Sequence, residues 1–392
     1  MAIPLILGTG VDYSIFMQLA LRRHGGDLDL AYRSVGRALL LCGGTAIAGF
    51  GSLALSSNAG MASLGQQCAV GIGSNMLIAI FLLPIWWKTT NGKSSSVSKP
   101  SSLYRSEFWR LGLAVVRWLP PRLCQSVSRF LVRIYWMLAP NRRKVVVQNL
   151  LPPLSNDLAA AKKTARSLFE QFAVKLVDLW RYEAGLPIDQ LFGETSGWEH
   201  FVAAREQGRG ILLVTPHLGN WEFGGPLMSR KGVALQVISL AEPGQGFTEL
   251  RRASRARWKI ETLVIRDDPF AFLEIIRRLE SGATVALLVD RPPPATAVTV
   301  QLFGQAFSAS LAAAELARAS GCVVLPVYMP RVQGTYAAHV LPAITYERAS
   351  LRDRTARQQF TQRIVDAFAP LIRQHLDQWY HFVPIWKNGA HE

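Results

Sequence analysis

The stretch ILLVTPHLGNWEFGG, residues 211–225, decides the fold prediction for this chain. Four apolar residues lead into a turn that holds His217, and a carboxylate, Glu222, follows five residues later. A short apolar run that ends in a turn predicts a buried β-strand. In sheets covered by helices, chemistry gathers beyond the carboxyl ends of the strands. The stretch therefore predicts a strand with a functional site at its end.

From residue 210 onward, short apolar runs alternate with helical patterns. Strands are predicted at 210–215, 233–239, 260–265, 283–289, 298–302, 322–328 and 336–341. Helices are predicted at about 222–231, 246–258, 269–281, 308–320 and 353–376. This alternation predicts an α/β fold with a mixed, largely parallel sheet flanked by helices. Asp290 follows the run VALLV, so it is placed at the same edge as His217.

The charge is unevenly distributed along the 392 residues. The chain has a net charge of +16, of which residues 1–87 carry only +1 and the remainder +15. A basic surface attracts nucleic acid, anionic lipid or an acidic protein. Neither zinc-finger spacing nor an RNA-binding signature is present, which argues against nucleic acid. Many of the 11 tryptophans stand beside Arg or Lys, a combination typical of a membrane–water interface.

Four widely separated cysteines show neither metal-ligand spacing nor a disulfide framework. We therefore expect no metal and a reducing compartment for the main domain.

Three apolar segments, roughly 2–21, 38–56 and 64–87, predict three transmembrane helices within a first domain at 1–88. The connector 22–37 holds all four basic residues found in residues 1–87. By the positive-inside rule that connector is cytoplasmic, which also places everything after residue 88 on the cytoplasmic side of the membrane. Asp12 falls near the middle of the first span, where a carboxylate is costly and should face protein or water.

A Ser-rich stretch, 89–102, reads as a flexible linker to a second domain at 103–392. Residues 106–140 have apolar residues at helical spacing, interrupted by arginines and broken by Pro120–Pro121. Two interpretations stay open and are compatible: a basic amphipathic hairpin on the inner leaflet, or a helical pair packed on the domain core. A further helix at 157–184 has an apolar stripe that predicts core packing.

A histidine held by a carboxylate can accept a proton from a hydroxyl group. The chain lacks a G-x-S-x-G nucleophile elbow. The His217–Glu222 pair is therefore suited to activating a substrate alcohol for direct attack on an acyl thioester. On spacing alone, a histidine near a glutamate is more often structural. Gly219 and Asn220 can equally serve only the turn that aims His217.

Several blocks recur in a fixed order: HLGNWE at 217–222, LRRASRAR at 250–257, LLVDRPP at 287–293, VQLFGQAFSASLAAAELARASGCVVLPVY at 300–328 and QWYHFVPIWK at 378–387. Together they resemble the lysophospholipid-acyltransferase-like enzymes that add lauroyl or myristoyl chains to lipid A, over about 105–387. The segment after Asp290, RPPPATA, lacks the glycine often found in that family.

This resemblance implies a role for each site residue. His217 would be the general base on an acceptor hydroxyl, and Glu222 would hold its ring. Arg255 or Arg257 would bind phosphate or the thioester, with Arg251 and Arg252 as further choices. Asp290 would position substrate or that arginine, and Asn220 would also contribute to substrate binding. The donor would be acyl carrier protein, an acidic partner, with no cofactor, and the acceptor an anionic glycolipid.

The first domain carries a second resemblance. GTGVDYSIFM at 8–17, GTAIAGFGSLALS at 44–56 and LLPIWW at 82–87 resemble the last three helices of resistance–nodulation–division exporters of the mycobacterial-membrane-protein-like type. In that family an Asp-Tyr pair takes part in proton relay, which would fall on Asp12 and Tyr13. Three helices alone cannot form the pathway, so the segment is interpreted as a remnant that anchors the chain, or that docks on a separately encoded exporter.

Three rival functions follow from the same residues. A glycerol-phosphate acyltransferase would need an F-P-E-G-T block, which is absent from the sequence. A non-catalytic membrane accessory of an exporter would not need His217. A basic membrane-binding module would need the Arg/Trp helices but neither Glu222 nor Asp290.

Overall fold

A computed structural model describes residues 2–23, 28–84, 86, 106–240, 245–265, 269–293 and 296–386. The chain divides into two compact units, residues 1–99 and 100–392. The predicted linker at 89–102 lies outside the described residues.

The first unit is helical. Helix α1 spans Ala2–Arg23, α2 spans Arg37–Leu53, and α3 spans Ala59–Leu77 with a π-helical continuation Ile78–Leu82. The Asn58 side chain accepts hydrogen bonds from the amides of Gly60 and Met61 and so caps α3. Two stretches, Ser34–Leu53 and Ala59–Leu82, are long and apolar enough to cross a membrane. The first predicted span forms the 22-residue helix α1, and whether this helix crosses a membrane stays a prediction.

A mostly parallel sheet organises the second unit. Its strands are β1 (Phe192–Ser196), β2 (Ile211–Thr215), β3 (Leu235–Leu240), β4 (Glu261–Ile265), β5 (Thr284–Leu288), β8 (Val323–Tyr328), β9 (Arg331–Val332) and β10 (Thr335–Val340), in the order β1-β10-β8-β2-β5-β3-β4 with β9 beside β10. The five strands β8, β2, β5, β3 and β4 are parallel, while β10 runs antiparallel to β8. This confirms the predicted fold class.

A separate hairpin pairs β6 (Ala297–Leu302) with β7 (Gln305–Ser310). The helix predicted at 308–320 therefore begins later, as α12. The helices of this unit are α4 (Ser106–Trp118), α5 (Pro121–Leu138), α6 (Pro140–Leu150), α7 (Leu158–Glu183), α8 (Trp198–Glu206), α9 (Gly224–Arg230), α10 (Gln245–Ala256), α11 (Pro269–Glu280), α12 (Ala312–Ser320) and α13 (Arg354–Gln374).

The main core lies between the sheet and helices α6, α7, α12 and α13. The strands contribute largely apolar runs to this core. All five residues of β2 are buried, as expected for a parallel strand covered on both faces.

Helices α4 and α5 confirm the interpretation of the hairpin as a helical pair packed on the domain core, while its place on the inner leaflet stays a prediction. They pack against α7 through Trp109, Val116 and Cys124, which are buried. Their other face stays apolar and exposed, with Trp118 at 87% exposure. The same face presents Leu111, Phe130, Leu131, Met137 and Leu138. An apolar surface of this kind, rimmed by arginines, fits a membrane interface.

Sheet register and the C-terminal segment position the site. In the parallel pair β2–β5, Thr215 stands opposite Leu288, so the residues that follow both strands share one edge. The segment after α13 runs along the turn that follows β2: the Tyr380 amide donates to the His217 carbonyl at 2.9 Å, and the Gly219 amide donates to the Gln378 carbonyl at 2.9 Å.

Gly219 has a φ of +60°, and a Cβ there would collide with the carbonyl oxygen of Met329. We expect Gly219→Ala to lower the melting temperature of the full chain in detergent by about 5 °C or more, because left-handed strain and a backbone clash add up. Gly224→Ala is the matched control, since a Cβ there meets nothing within 4 Å. Equal melting temperatures for the two variants would contradict this expectation.

Candidate active site

The ring of His217 is held by Asp290, which follows the neighbouring strand. His217 Nδ1 lies 2.6 Å from Asp290 Oδ1, and the His217 amide donates to Asp290 Oδ2 at 2.8 Å. A carboxylate only accepts hydrogen bonds, so Nδ1 carries the proton and Nε2 is left as the basic nitrogen. The side chain of His217 is 13% exposed and that of Asp290 only 4%.

The Asp290 carboxylate accepts two further hydrogen bonds from the C-terminal segment. Trp379 Nε1 donates to Oδ2 at 3.1 Å, and His381 Nε2 lies 2.9 Å from the same oxygen. With the two groups of His217, four N–H donors meet one buried carboxylate. This number of donors is what allows an ionised group to stay out of water.

The protonation states follow from burial and from this network. Burial alone would raise the pKa of Asp290, but the charge interactions and hydrogen bonds with His217 and His381 outweigh it and hold that pKa well below its usual value. Burial lowers the pKa of His217 to about 4, against the opposing effect of Asp290. The site at neutral pH therefore contains an ionised Asp290 beside a neutral imidazole, which is the form that can accept a proton.

The prediction that Glu222 holds the His217 ring is wrong. The chain enters a short 3₁₀ turn at Trp221–Phe223, and Glu222 is paired with α10. Arg255 donates to it with Nε at 3.1 Å and Nη2 at 2.8 Å. Asp290 takes the role at the ring because the pairing of β2 with β5 brings it there. Its hydrogen bonds go to His217, Trp379 and His381, so the prediction that it positions an arginine is wrong, while a contact with substrate stays a prediction.

Glu222 belongs to a buried ion network. Arg251 Nη2 lies 2.6 Å from Glu222, while Arg251 Nη1 pairs with Glu183 at the end of α7. Trp109 Nε1 donates to the other oxygen of Glu183. Burial alone would raise the pKa of Glu222, but Arg251 and Arg255 outweigh it and hold that pKa far below its usual value. Two arginines and two carboxylates thus balance one another.

The other predicted site residues fall in different places. Asn220 is fully buried, and its main-chain amide donates a hydrogen bond to the Met329 carbonyl at 2.8 Å. Among the described residues, none forms a hydrogen bond with its side-chain nitrogen or oxygen. Arg257 lies just beyond α10 and is exposed. In the first unit, Asp12 is exposed and Tyr13 is buried, so these neighbours lie on different faces of α1. Their functional roles stay predictions.

Sequence reasoning missed two buried residues here. His381 is 1% exposed and lies within the quoted block QWYHFVPIWK, but neither spacing nor composition links it to Asp290. Lys175 is 4% exposed, and its Nζ lies 2.8 Å from the centre of the Trp221 ring. A signal for Lys175 existed: it falls three residues after Phe172, on the apolar face of α7.

Comparison with known proteins agrees with this architecture. Residues 93–388 match the family described as bacterial lipid A biosynthesis acyltransferase. The chain belongs to that family. Residues 1–122 match the MMPL family, so the two matches overlap at α4.

Relatives include phosphatidylinositol mannoside acyltransferases. That of Mycobacterium tuberculosis is 27% identical over 203 residues, covering 51% of this chain and 60% of the relative. That of Mycolicibacterium smegmatis is 26% identical over 312 residues, covering 76% of this chain and 95% of the relative. The hopanoid transporter HpnN of Burkholderia multivorans is 32% identical over 84 residues, which are 21% of this chain but only 9% of the transporter.

Glu222→Gln should destabilise the folded chain at neutral pH by roughly 3 kcal/mol or more, because Arg251 and Arg255 would lose a buried counter-charge. The folded pKa of Glu222 lies below its ordinary 4.5. Its stabilisation is therefore present above pH 4.5 and is lost as pH falls below it. The gap in melting temperature between wild type and variant should narrow below pH 4.5.

Melting curves in detergent from pH 7.5 to pH 3.5 measure this gap. Glu261→Gln is the control, since Glu261 makes a solvent-exposed pair with Arg278 and should contribute less than about 1 kcal/mol. A gap that is the same size at both ends of the pH range would refute the assignment.

Proposed function

We propose that residues 93–388 catalyse transfer of a fatty acyl chain from a thioester to a hydroxyl group of a glycolipid, with His217 as general base. The observation that carries the proposal is the short Nδ1–Asp290 hydrogen bond, which leaves Nε2 of a neutral, partly exposed ring free to act. Family membership and the mannoside acyltransferases among its relatives support the reaction class.

The chemistry needs no enzyme nucleophile. His217 Nε2 takes the proton from the acceptor hydroxyl while the oxygen attacks the thioester carbonyl carbon. The tetrahedral intermediate collapses, the carbon–sulfur bond breaks, and the thiol sulfur leaves with the proton returned from the imidazolium. Asp290 stays ionised and stabilises that imidazolium, as the aspartate of a serine-hydrolase triad does.

We propose acyl carrier protein as the donor and an anionic glycolipid as the acceptor. An acidic carrier complements the +15 carried by the residues after 87. Arg255 remains our proposed contact for a substrate anion, and Glu222 is proposed to hold it in place through the bidentate pair. No cofactor is required by these steps.

We further propose that this domain works on the cytoplasmic face of a bacterial inner membrane. The exposed apolar residues of α4 and α5 would enter the leaflet, and the arginines beside them would meet anionic headgroups. The MMPL-like segment would anchor the chain or contact a separately encoded exporter.

Activity of the purified full chain tests the reaction. The donors are acyl carrier proteins loaded with chains of several lengths, and the acceptors are a phosphatidylinositol mannoside and a lipid A precursor; product is measured by mass spectrometry. We expect His217→Ala to lower kcat/KM by about 100- to 10,000-fold, and Asp290→Asn to fall in the same range because the ring loses its charged partner.

His200→Ala, on α8, is the control and should keep wild-type turnover, since His200 is outside the site. If the wild-type chain melts cooperatively yet acylates none of the acceptors, the proposed reaction is wrong. If His217→Ala keeps full activity, His217 is not the base.

The pH dependence gives a separate test. Because the base must be unprotonated and burial lowers the pKa of His217 to about 4, kcat/KM should stay level from pH 7.5 to about 5.5 and fall only near pH 4. Brief exposure to each pH followed by assay at pH 7.5 controls for unfolding. An acid limb near 6.5, the value of an ordinary histidine, would contradict the buried-base assignment.

A further inference from the structure

Lys175 occupies an unusual place for a lysine. It lies on the apolar face of α7 and is 4% exposed. Its Nζ sits over two aromatic rings, 2.8 Å from the centre of Trp221 and 4.8 Å from the centre of Tyr380. Within the part of the chain that the structure describes, no carboxylate forms an ion pair with it. Neither ordinary solvation nor a salt bridge accounts for its position.

Both aromatic residues under Lys175 also contact the proposed base, Trp221 with its ring and Tyr380 with its main chain. The Trp221 ring packs edge-on against the ring of His217, with centroids 4.9 Å apart. The main-chain amide of Tyr380 donates to the carbonyl of His217 at 2.9 Å. Lys175 therefore joins α7 to both residues, next to Phe172, whose ring packs on that of Tyr380 with centroids 5.2 Å apart.

The contact of Lys175 with the two rings does not require the lysine to be protonated. Burial lowers the pKa of Lys175 well below its usual value, while Glu222 opposes the shift and Arg251 and Arg291 add to it. Both the ammonium and the amine offer N–H groups to the negative face of an aromatic ring. A buried, perturbed lysine inside a site of this kind is a candidate for function.

We propose that Lys175 is a positioning residue of the transfer reaction, which holds the Trp221 indole against His217 and thereby fixes the plane of the catalytic ring. The proposal rests on the acyl-transfer function proposed above. Its geometric basis is the contact of Lys175 with the Trp221 ring and the edge-on contact of that ring with His217. If the His217 ring tilts away from the hydroxyl proton that it must accept, kcat falls while substrate binding changes little.

Turnover of the full chain in detergent tests this with a double-mutant cycle. Lys175→Met keeps length and burial but removes the N–H groups, and Trp221→Phe removes the indole. Each single variant should lower kcat by about 10- to 100-fold while KM changes less than about threefold. The kcat of the double variant should be no more than about threefold below that of the less active single variant, because both substitutions break the same contact. Lys162→Met, at an exposed position on the same helix, should keep wild-type kcat.

Multiplicative losses in the double variant would show that Lys175 does not act through Trp221 and would overturn the proposal. An unchanged kcat in either single variant would overturn it as well. Since Trp221→Phe can be judged alone, the proposal stays testable even if Lys175→Met fails to fold.

A readout without turnover separates this proposal from the reaction itself. In a chain labelled with ¹³C-histidine, the His217 signal is identified among seven histidines by its loss in His217→Gln. Lys175→Met and Trp221→Phe should both move that signal, and Lys162→Met should not. If the wild type shows no turnover but the signal moves, the reaction class is wrong and the positioning role stands. If the signal stays fixed in Lys175→Met, the positioning role is wrong whatever the turnover.

Discussion

One buried carboxylate is the constraint on which the second unit depends. Asp290 is 5% exposed and ionised, and an ionised carboxylate in a dry interior is tolerated only when its oxygens are satisfied. Its four N–H donors come from the turn after β2 and from the C-terminal segment. The hydrogen bonds to that carboxylate therefore join the end of β5, the end of β2 and the C-terminal segment. The same hydrogen bonds orient His217, so the geometry of the proposed base depends on how the buried charge is satisfied.

Around this centre lies a second, electrically balanced layer. Glu183 from α7 and Glu222 from the turn share Arg251, and Glu222 also takes Arg255 from α10. Fixed charges in such a network set distances between helices more strictly than apolar contacts do, because a displaced partner leaves a buried charge unpaired. The arginines thus act first on the scaffold. An incoming anion must compete with carboxylates already in place.

Much of the sheet could be predicted from sequence, because each parallel strand is an apolar run bounded by polar turns. The early strand β1 and the hairpin strand β7 were missed: β1, FGETS, is largely exposed, and β7, QAFSAS, is made of small residues that read equally well as helix. The location of the site at the strand ends was correct as well, since both His217 and Asp290 follow their strands directly. The partner of His217 was not predictable in this way. Glu222 is five residues away in sequence and Asp290 is 73, and only the pairing of β2 with β5 decides between them.

The contribution of the C-terminal segment has a consequence for biosynthesis. The ribosome completes every strand of the sheet well before it adds Trp379 and His381, so the nascent domain holds Asp290 without two of its hydrogen-bond donors. Until those residues leave the exit tunnel, which shields the last few dozen residues of a growing chain, the carboxylate must keep water or a proton. The hydrogen-bond network around Asp290 is therefore completed only once Trp379 and His381 have left the tunnel, later than the sheet that it joins to the C-terminal segment.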